Sequence, residues 1–316
     1  MKKEQQTEVL KKDLFFAPGV DYVFKKVFGS EDKKEILKSL ICGILKMPPE
    51  EIKDITIMNG ELTKKNSRDK LSRLDILLKL NNQKNINLEM QMFNYKTLPR
   101  RILYYWSQLY VSTSMVGKEY DELIPCITVW ILNETMFKDT EKAHTIFTIK
   151  EKELDIQLSD VFEAHIIELT KTDENNSKLN EWIKFFRLKN KEEMKMLRET
   201  TTDAEIKEAI DIVTLMSLDE KSRYEYINRM MEIMDYNTLK KEAMQEGIEE
   251  GRLQGKEQGI EEEKIKVAKN LLDVLDIKTI SLKTGLSIEQ VERIAKGEHL
   301  SAEASEDSGK CYSDRR

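Results

Sequence analysis

The sequence predicts an α/β core followed by a mainly helical C-terminal region. Three features carry this. Strand-like alternation is confined to residues 52–92, with helix-spaced apolar residues on both sides of it. Residues 125–132 form a nearly continuous apolar run, the pattern of a strand buried on both faces. Beyond residue 150 the helical period dominates, with only weak extended stretches.

The elements follow in order. Residues 1–12 are polar and predict a flexible N-terminus. Phe15 to Gly19 reads as a lead-in turn. Val20, Phe24, Val27, Phe28, Ile36, Leu37, Leu40, Ile41 and Ile44 fall at helical spacing, and Gly29-Ser30 divides them into two helices with Ser30 as an N-cap. Met47-Pro48-Pro49 ends this unit, because a residue before proline is driven out of helical space. Strands are expected at about 52–60, 73–80 and 85–92, with a turn at Asn81 to Lys84. Pro99 opens a helix that carries Ile102, Leu103, Trp106, Leu109 and Tyr110 on one side and stops near Gly117. The buried strand 125–132 completes the order helix, strand, strand, strand, helix, strand. Helices are then expected at 179–188, 191–199, 203–217 and 220–234. Gly247, Gly251, Gly255 and Gly259 punctuate a charged segment at every fourth residue, predicting a helical stalk weakened by glycine. The resulting division is a flexible 1–12, a core at 13–150, a helical middle region at 151–240, the stalk at 241–270, a small two-helix unit at 271–297 and a disordered tail at 298–316.

Composition narrows the function. The chain of 316 residues is 35% charged and its longest apolar run is far too short to cross a bilayer. The N-terminus has no apolar signal core, so no membrane partner is expected. Cys42, Cys126 and Cys311 lack metal-ligand spacing and fit a reducing cytoplasm. His144, His165 and His299 are scattered, which argues against a histidine metal site or a Ser-His triad. The net charge of −6 is that of an acidic chain, yet residues 61–101 carry ten Lys/Arg against four Asp/Glu. A local basic segment in an acidic chain is how a phosphate-facing surface looks.

The chemistry concentrates on a strand pair. Glu89 and Gln91 lie two residues apart and share a face. A hairpin centred on Asn82 sets Asp75 directly opposite Glu89. Two carboxylates facing each other across a strand pair repel unless something positive lies between them, and a hard divalent cation suits that place. Mg²⁺, or Mn²⁺ in its stead, takes few protein carboxylates and fills its shell with waters and phosphate oxygens. Gln91 cannot be a base, but its amide can orient a water or donate to a phosphate oxygen. The competing reading makes Asp75 and Glu89 solvated residues on the wet face of an amphipathic hairpin.

This order of elements, with Asp75 and Glu89-x-Gln91, resembles the PD-(D/E)XK nuclease superfamily. More narrowly, the chain is similar to the Rpn family of recombination-promoting nucleases, also described as PD-(D/E)XK transposases. The resemblance rests on Asp21-Tyr22-Val23-Phe24-Lys25-Lys26-Val27-Phe28-Gly29, Arg73-Leu74-Asp75-Ile76 and Asn87-Leu88-Glu89-Met90-Gln91. Arg100-Arg101-Ile102-Leu103-Tyr104-Tyr105-Trp106 and Gly117-Lys118-Glu119-Tyr120 support it. It covers about the first 135 residues. The resemblance implies a restriction-endonuclease-like core, DNA as substrate, and Asp75 and Glu89 as metal ligands, with the main-chain carbonyl of Met90 as a further ligand. Gln91 stands where the superfamily pattern has lysine, so a cation is missing from that position.

Around this centre stand further candidates. Asp21 is either a third carboxylate or a helix N-cap. Lys25 and Lys26 read first as solvated, with Lys25 kept as a DNA contact. Arg73, Arg100 and Arg101 are candidate phosphate contacts, the last two at a helix N-terminus. The aromatic run 104–106 reads mainly as core, with Tyr105 the tyrosine available to DNA. At the C-terminus, Gly285 supplies a turn and Ser287 with Gln290 a capping box, predicting a helix–turn–helix-like unit that either reads DNA or simply packs. The stalk before it is a self-association helix or a spacer. The expected function is Mg²⁺-dependent hydrolysis of DNA phosphodiester bonds in recombination, transposition or defence. The alternative is a nuclease-fold protein that binds DNA or oligomerises with weak or no turnover.

Overall fold

The computed structural model describes residues 14–58, 74–81, 83–93, 96–113, 119–172 and 177–298. Arg73, Gly117, the 1–12 segment, His299, Cys311 and the tail from residue 299 lie outside the described residues. The chain divides into two units, Met1–Met230 and Met231–Arg316.

The first unit begins with helices α1 (Asp21–Phe28) and α2 (Lys34–Leu45), then strands β1 (Ile55–Met58), β2 (Ile76–Leu80) and β3 (Lys84–Gln91). Helix α3 (Leu98–Ser112) leads to β4 (Cys126–Leu132), the helix–strand–strand–strand–helix–strand order read from the sequence. The sheet does not stop there: β5 (His144–Lys150) and β6 (Gln157–Glu168) extend it before α4 (Ser177–Phe186), α5 (Lys191–Thr200) and α6 (Ala204–Leu218). A long helix, α7 (Glu220–Leu271), follows, and its start belongs to this unit.

The six strands lie in the order β1-β2-β3-β4-β6-β5. The first three are antiparallel, β3 to β4 and β4 to β6 are parallel, and β5 closes the edge antiparallel to β6. Strand β4 is buried along its whole length, which is why its sequence is continuously apolar rather than alternating. Strand β6 escapes a simple pattern because its N-terminal half is largely exposed and its C-terminal half is buried between two strands.

Helix α3 covers one face of the sheet, packing Leu98 and Ile102 against Trp130, Leu132, Phe162, Ala164 and Ile166. In a separate aromatic cluster, Phe24 and Phe28 of α1 meet Trp182, Phe185 and Phe186 of α4 at centroid distances from 5.3 to 6.5 Å. Fully buried rings of this kind contribute roughly 2–3 kcal/mol each, so α1 is firmly seated. It ends at Gly29, whose N–H returns to Lys25 O at 2.9 Å. A Cβ there would meet that same oxygen at 2.5 Å, so the break between α1 and α2 requires glycine. A short 3₁₀ turn, Glu31–Lys33, intervenes before α2, and Ser30 makes no side-chain cap bond.

The second unit holds the remainder of α7 with α8 (Ile277–Thr284) and α9 (Ile288–Ala295). Ala268, Ile280, Leu286, Val291 and Ile294 form its core. Gly285 adopts φ 74° at the end of α8, the left-handed conformation that glycine enters without strain. Ser287 and Gln290 cap each other as the sequence predicts, with bonds of 3.1 and 2.8 Å. The stalk is continuous helix through its four glycines. Among the described residues, no helix is long and apolar enough to cross a membrane.

Candidate active site

Strand register builds the site. The pairs Ile76↔Leu88 through Leu80↔Lys84 place the hairpin centre at residue 82. Asn81 turns the chain with φ 50°, a left-handed conformation that asparagine tolerates. Asp75, one residue ahead of β2, continues that register and faces Glu89. The main chain locks the two acids together: Asp75 N donates to Glu89 Oε1 at 3.2 Å, and Met90 N donates to Asp75 Oδ2 at 3.1 Å.

Neither acid lies on a wet face. Glu89 pairs in register with Trp130 and Gln91 with Leu132, so both lie on the side of β3 that α3 covers. Glu89 is 2% exposed and Gln91 8% exposed. Burial is the largest cause that raises both carboxyl pKa values. The Asp75 charge adds to it at Glu89, against the Asp75 N–H bond, Arg101 and Lys25, and the Glu89 carboxyl is pushed up to about 8. At Asp75, burial outweighs the Lys25 charge and the hydrogen bonds from Lys25 and Met90 N. A strand pair keeps two acids in this state only at a cost, and sites that do chemistry are where such arrangements concentrate.

Two cations flank the acids. Lys25 Nζ, from α1, lies 2.8 Å from Asp75 Oδ1. Arg101 Nη2, from the first turn of α3, lies 4.0 Å from Glu89 Oε2. Arg101 Nη1 donates to Gln91 Oε1 at 3.1 Å, and Gln91 Nε2 donates to Phe93 O at 2.7 Å. The guanidinium also lies over the rings of Tyr105 and Trp130, at 4.9 and 5.3 Å from their centroids. The Gln91 amide therefore turns its nitrogen to a main-chain carbonyl and its oxygen to Arg101. Arg100, its neighbour, is exposed.

Asp21 occupies a different position from the one expected of a cap. Val20 is the N-cap residue and Asp21 the first residue of α1. Its carboxylate grips Arg229 of α7 with both oxygens, at 2.8 and 2.7 Å. Around it, Tyr22 donates to Glu225 at 3.0 Å, Lys26 pairs with Glu225 at 3.3 Å, and Phe16 stacks on Tyr226 at 4.2 Å. Together these clasp α1 to the start of α7. Among the described residues no group of three His, Cys, Asp or Glu side chains forms a metal cluster, so Asp75 and Glu89 stand as a pair. A pair fits a hard cation that draws its remaining ligands from water and phosphate, and mutual repulsion of two buried carboxylates gives such a cation its purchase.

Two features take their place only from the fold. Lys25, a candidate DNA contact in the sequence, is brought against Asp75 instead of standing alone. His144 and His165, far apart in sequence, sit on β5 and β6 with Nε2 and Nδ1 2.9 Å apart, and His165 Nε2 lies 3.2 Å from Glu163. Only the strand pairing, which opposes Ile146 to His165, makes them neighbours.

A family model described as PD-(D/E)XK nuclease family transposase matches residues 18–243. No curated protein and no solved structure matches the chain.

Proposed function

We propose, from the premise that this chain belongs to the PD-(D/E)XK nuclease family transposases, that it hydrolyses DNA phosphodiester bonds at Asp75 and Glu89 with a divalent cation, Mg²⁺ or Mn²⁺. Membership gives the coarse role, a nuclease or transposase-related protein, for which DNA is the natural partner. The observation that carries the finer reading is the buried Asp75–Glu89 pair, tied by reciprocal main-chain bonds of 3.2 and 3.1 Å.

In this reading Asp75 and Glu89 hold the metal, with the Met90 carbonyl as a further ligand. When bound, the cation neutralises charge on the phosphoryl group and lowers the pKa of a coordinated water. The chain's own groups orient the DNA. Arg101 is fixed by Gln91 and by two ring faces, yet its side chain is 36% exposed, so its guanidinium is free to meet a phosphate. Arg100 adds a second positive charge at the same helix N-terminus, where the helix dipole also favours an anion. Tyr105 backs the Arg101 guanidinium with its ring face.

A second reading has one observation in its favour: Gln91 replaces the superfamily lysine and its amide is already engaged. It keeps DNA binding, or self-association through the stalk, and drops turnover. Incubating the purified protein with supercoiled plasmid and Mg²⁺ or Mn²⁺, with and without chelator, separates the two. Metal-dependent nicking or linearisation that disappears in Asp75→Ala supports the nuclease. Equal cutting by parent and Asp75→Ala refutes the site, and DNA retention with no cutting by the parent supports the second reading.

A further inference from the structure

We propose that Lys25, carried on α1, supplies the positive charge that the superfamily pattern places two residues after its glutamate, while Gln91 serves as the holder of Arg101. This rests on the nuclease reading above and assigns a further catalytic residue to it.

Four observations converge. Lys25 Nζ reaches Asp75 Oδ1 at 2.8 Å, while the other oxygen, Oδ2, is taken by Met90 N at 3.1 Å. Its side chain is 44% exposed, so the ammonium sits at the solvent edge of the acidic pair, where a DNA phosphate would approach. Its carrier helix is held by the aromatic cluster at one end and by the Asp21–Arg229 pair at the other, so the fold fixes where the main chain presents Lys25. Lys26, the adjacent residue, points elsewhere and pairs with Glu225. Of two neighbouring lysines, only one is aimed at the site.

Position 91 cannot supply this charge. Gln91 carries none, and its amide links the Phe93 carbonyl to Arg101. Arg101 is anchored on Gln91 and two rings and lies 4.0 Å from Glu89. That suits a fixed phosphate clamp more than a group that follows charge as it develops. An ammonium has three donors. One meets Asp75, which leaves two for the attacking water and a phosphoryl oxygen. In the hydrolysis, the water oxygen bonds to phosphorus and the ester P–O bond breaks. The water's proton leaves to solvent, and the departing oxygen regains one from solvent. Lys25 keeps its proton throughout and donates to the oxygens on which negative charge grows.

The test uses the full chain with Lys25→Met, Lys25→Gln and, as control, Lys26→Met. Single-turnover plasmid cutting with Mn²⁺ is measured beside Mn²⁺ affinity by calorimetry and DNA affinity by anisotropy in chelator. Loss of a single donor to developing charge typically slows the chemical step about 100-fold or more. Both Lys25 variants are expected to lose that much, with Mn²⁺ and DNA affinities held within about threefold and Lys26→Met cutting like the parent. Cutting by the Lys25 variants within about threefold of the parent overturns the proposal. So does a rate loss matched by an equal loss of Mn²⁺ or DNA affinity. If the parent and Lys26→Met also leave plasmid intact, the nuclease reading itself has failed, a result distinct from a defect confined to Lys25.

Discussion

Replacing Glu89 by glutamine separates the demands of the site from the demands of the fold. In the metal-free protein, Glu89 is 2% exposed and faces Asp75, and its pKa stands at about 8 against an ordinary 4.5, through burial first and Asp75 second. The folded state therefore holds the proton more tightly than the unfolded chain. That contribution to stability is complete below pH 4.5 and is lost as pH rises through about 8. At about 1.4 kcal/mol per pKa unit, the loss by pH 9 is on the order of a few kcal/mol. Glutamine carries no charge at any pH and keeps an oxygen for the Asp75 N–H. It gives up the Arg101 approach, which at 4.0 Å is a long contact and offsets only part of the effect of burial and of Asp75. Glu89→Gln should thus melt higher than the parent at pH 9 in chelator, by roughly 5–10 °C for a unit of this size, and close to it at pH 5. Saturating Mn²⁺ should narrow that gap at pH 9 and put the parent ahead at pH 5, since a metal at 100 times its dissociation constant adds about 2.7 kcal/mol to the parent alone. Thermal melts at both pH values, with Mn²⁺ or chelator, read all four conditions. A Glu89→Gln protein that melts below the parent at pH 9 without metal, or that Mn²⁺ stabilises as much as the parent, would refute the account of two repelling acids awaiting a cation.

Two further outcomes concern the surroundings of the site. Arg229→Ala breaks a two-oxygen ion pair with Asp21 that is largely shielded from water, and unfolding in denaturant should show a loss of about 1–2 kcal/mol. Asp21→Asn should change Mn²⁺ affinity only slightly, through the loss of its charge near Asp75, and a drop of about tenfold or more in calorimetry would reassign Asp21 as a metal ligand. In the stalk, a Cβ at Gly251 or Gly255 would meet nothing within 4 Å, so Gly→Ala at each should stabilise the helix by about 1 kcal/mol and slow local hydrogen exchange. Faster exchange, or a change in sedimentation, would mark those glycines as close contacts between helices.

Much of the first unit is legible in the sequence. The order of elements up to β4 follows from apolar periodicity, and the turn near Asn82 dictates which residue faces Glu89, because strand pairing on either side of a turn is local arithmetic. The Ser287–Gln290 capping box is local in the same way. Strands β5 and β6 were not legible. They gain their place only by pairing with β4 and each other, and their mixed exposure blurs any period of two.

What the sequence by itself determined is the hairpin and the acids it sets face to face, since the short stretch from Asp75 to Glu89 suffices to specify them. What only the tertiary structure decided is which charges attend those acids. Lys25 arrives on a helix seated by distant aromatic rings, Asp21 is claimed by an arginine 208 residues away, and Gln91 proves to be a hinge-pin between Phe93 and Arg101. Each of these depends on where whole elements come to rest, and solvent exposure and partner identity are properties of that packing rather than of any local pattern.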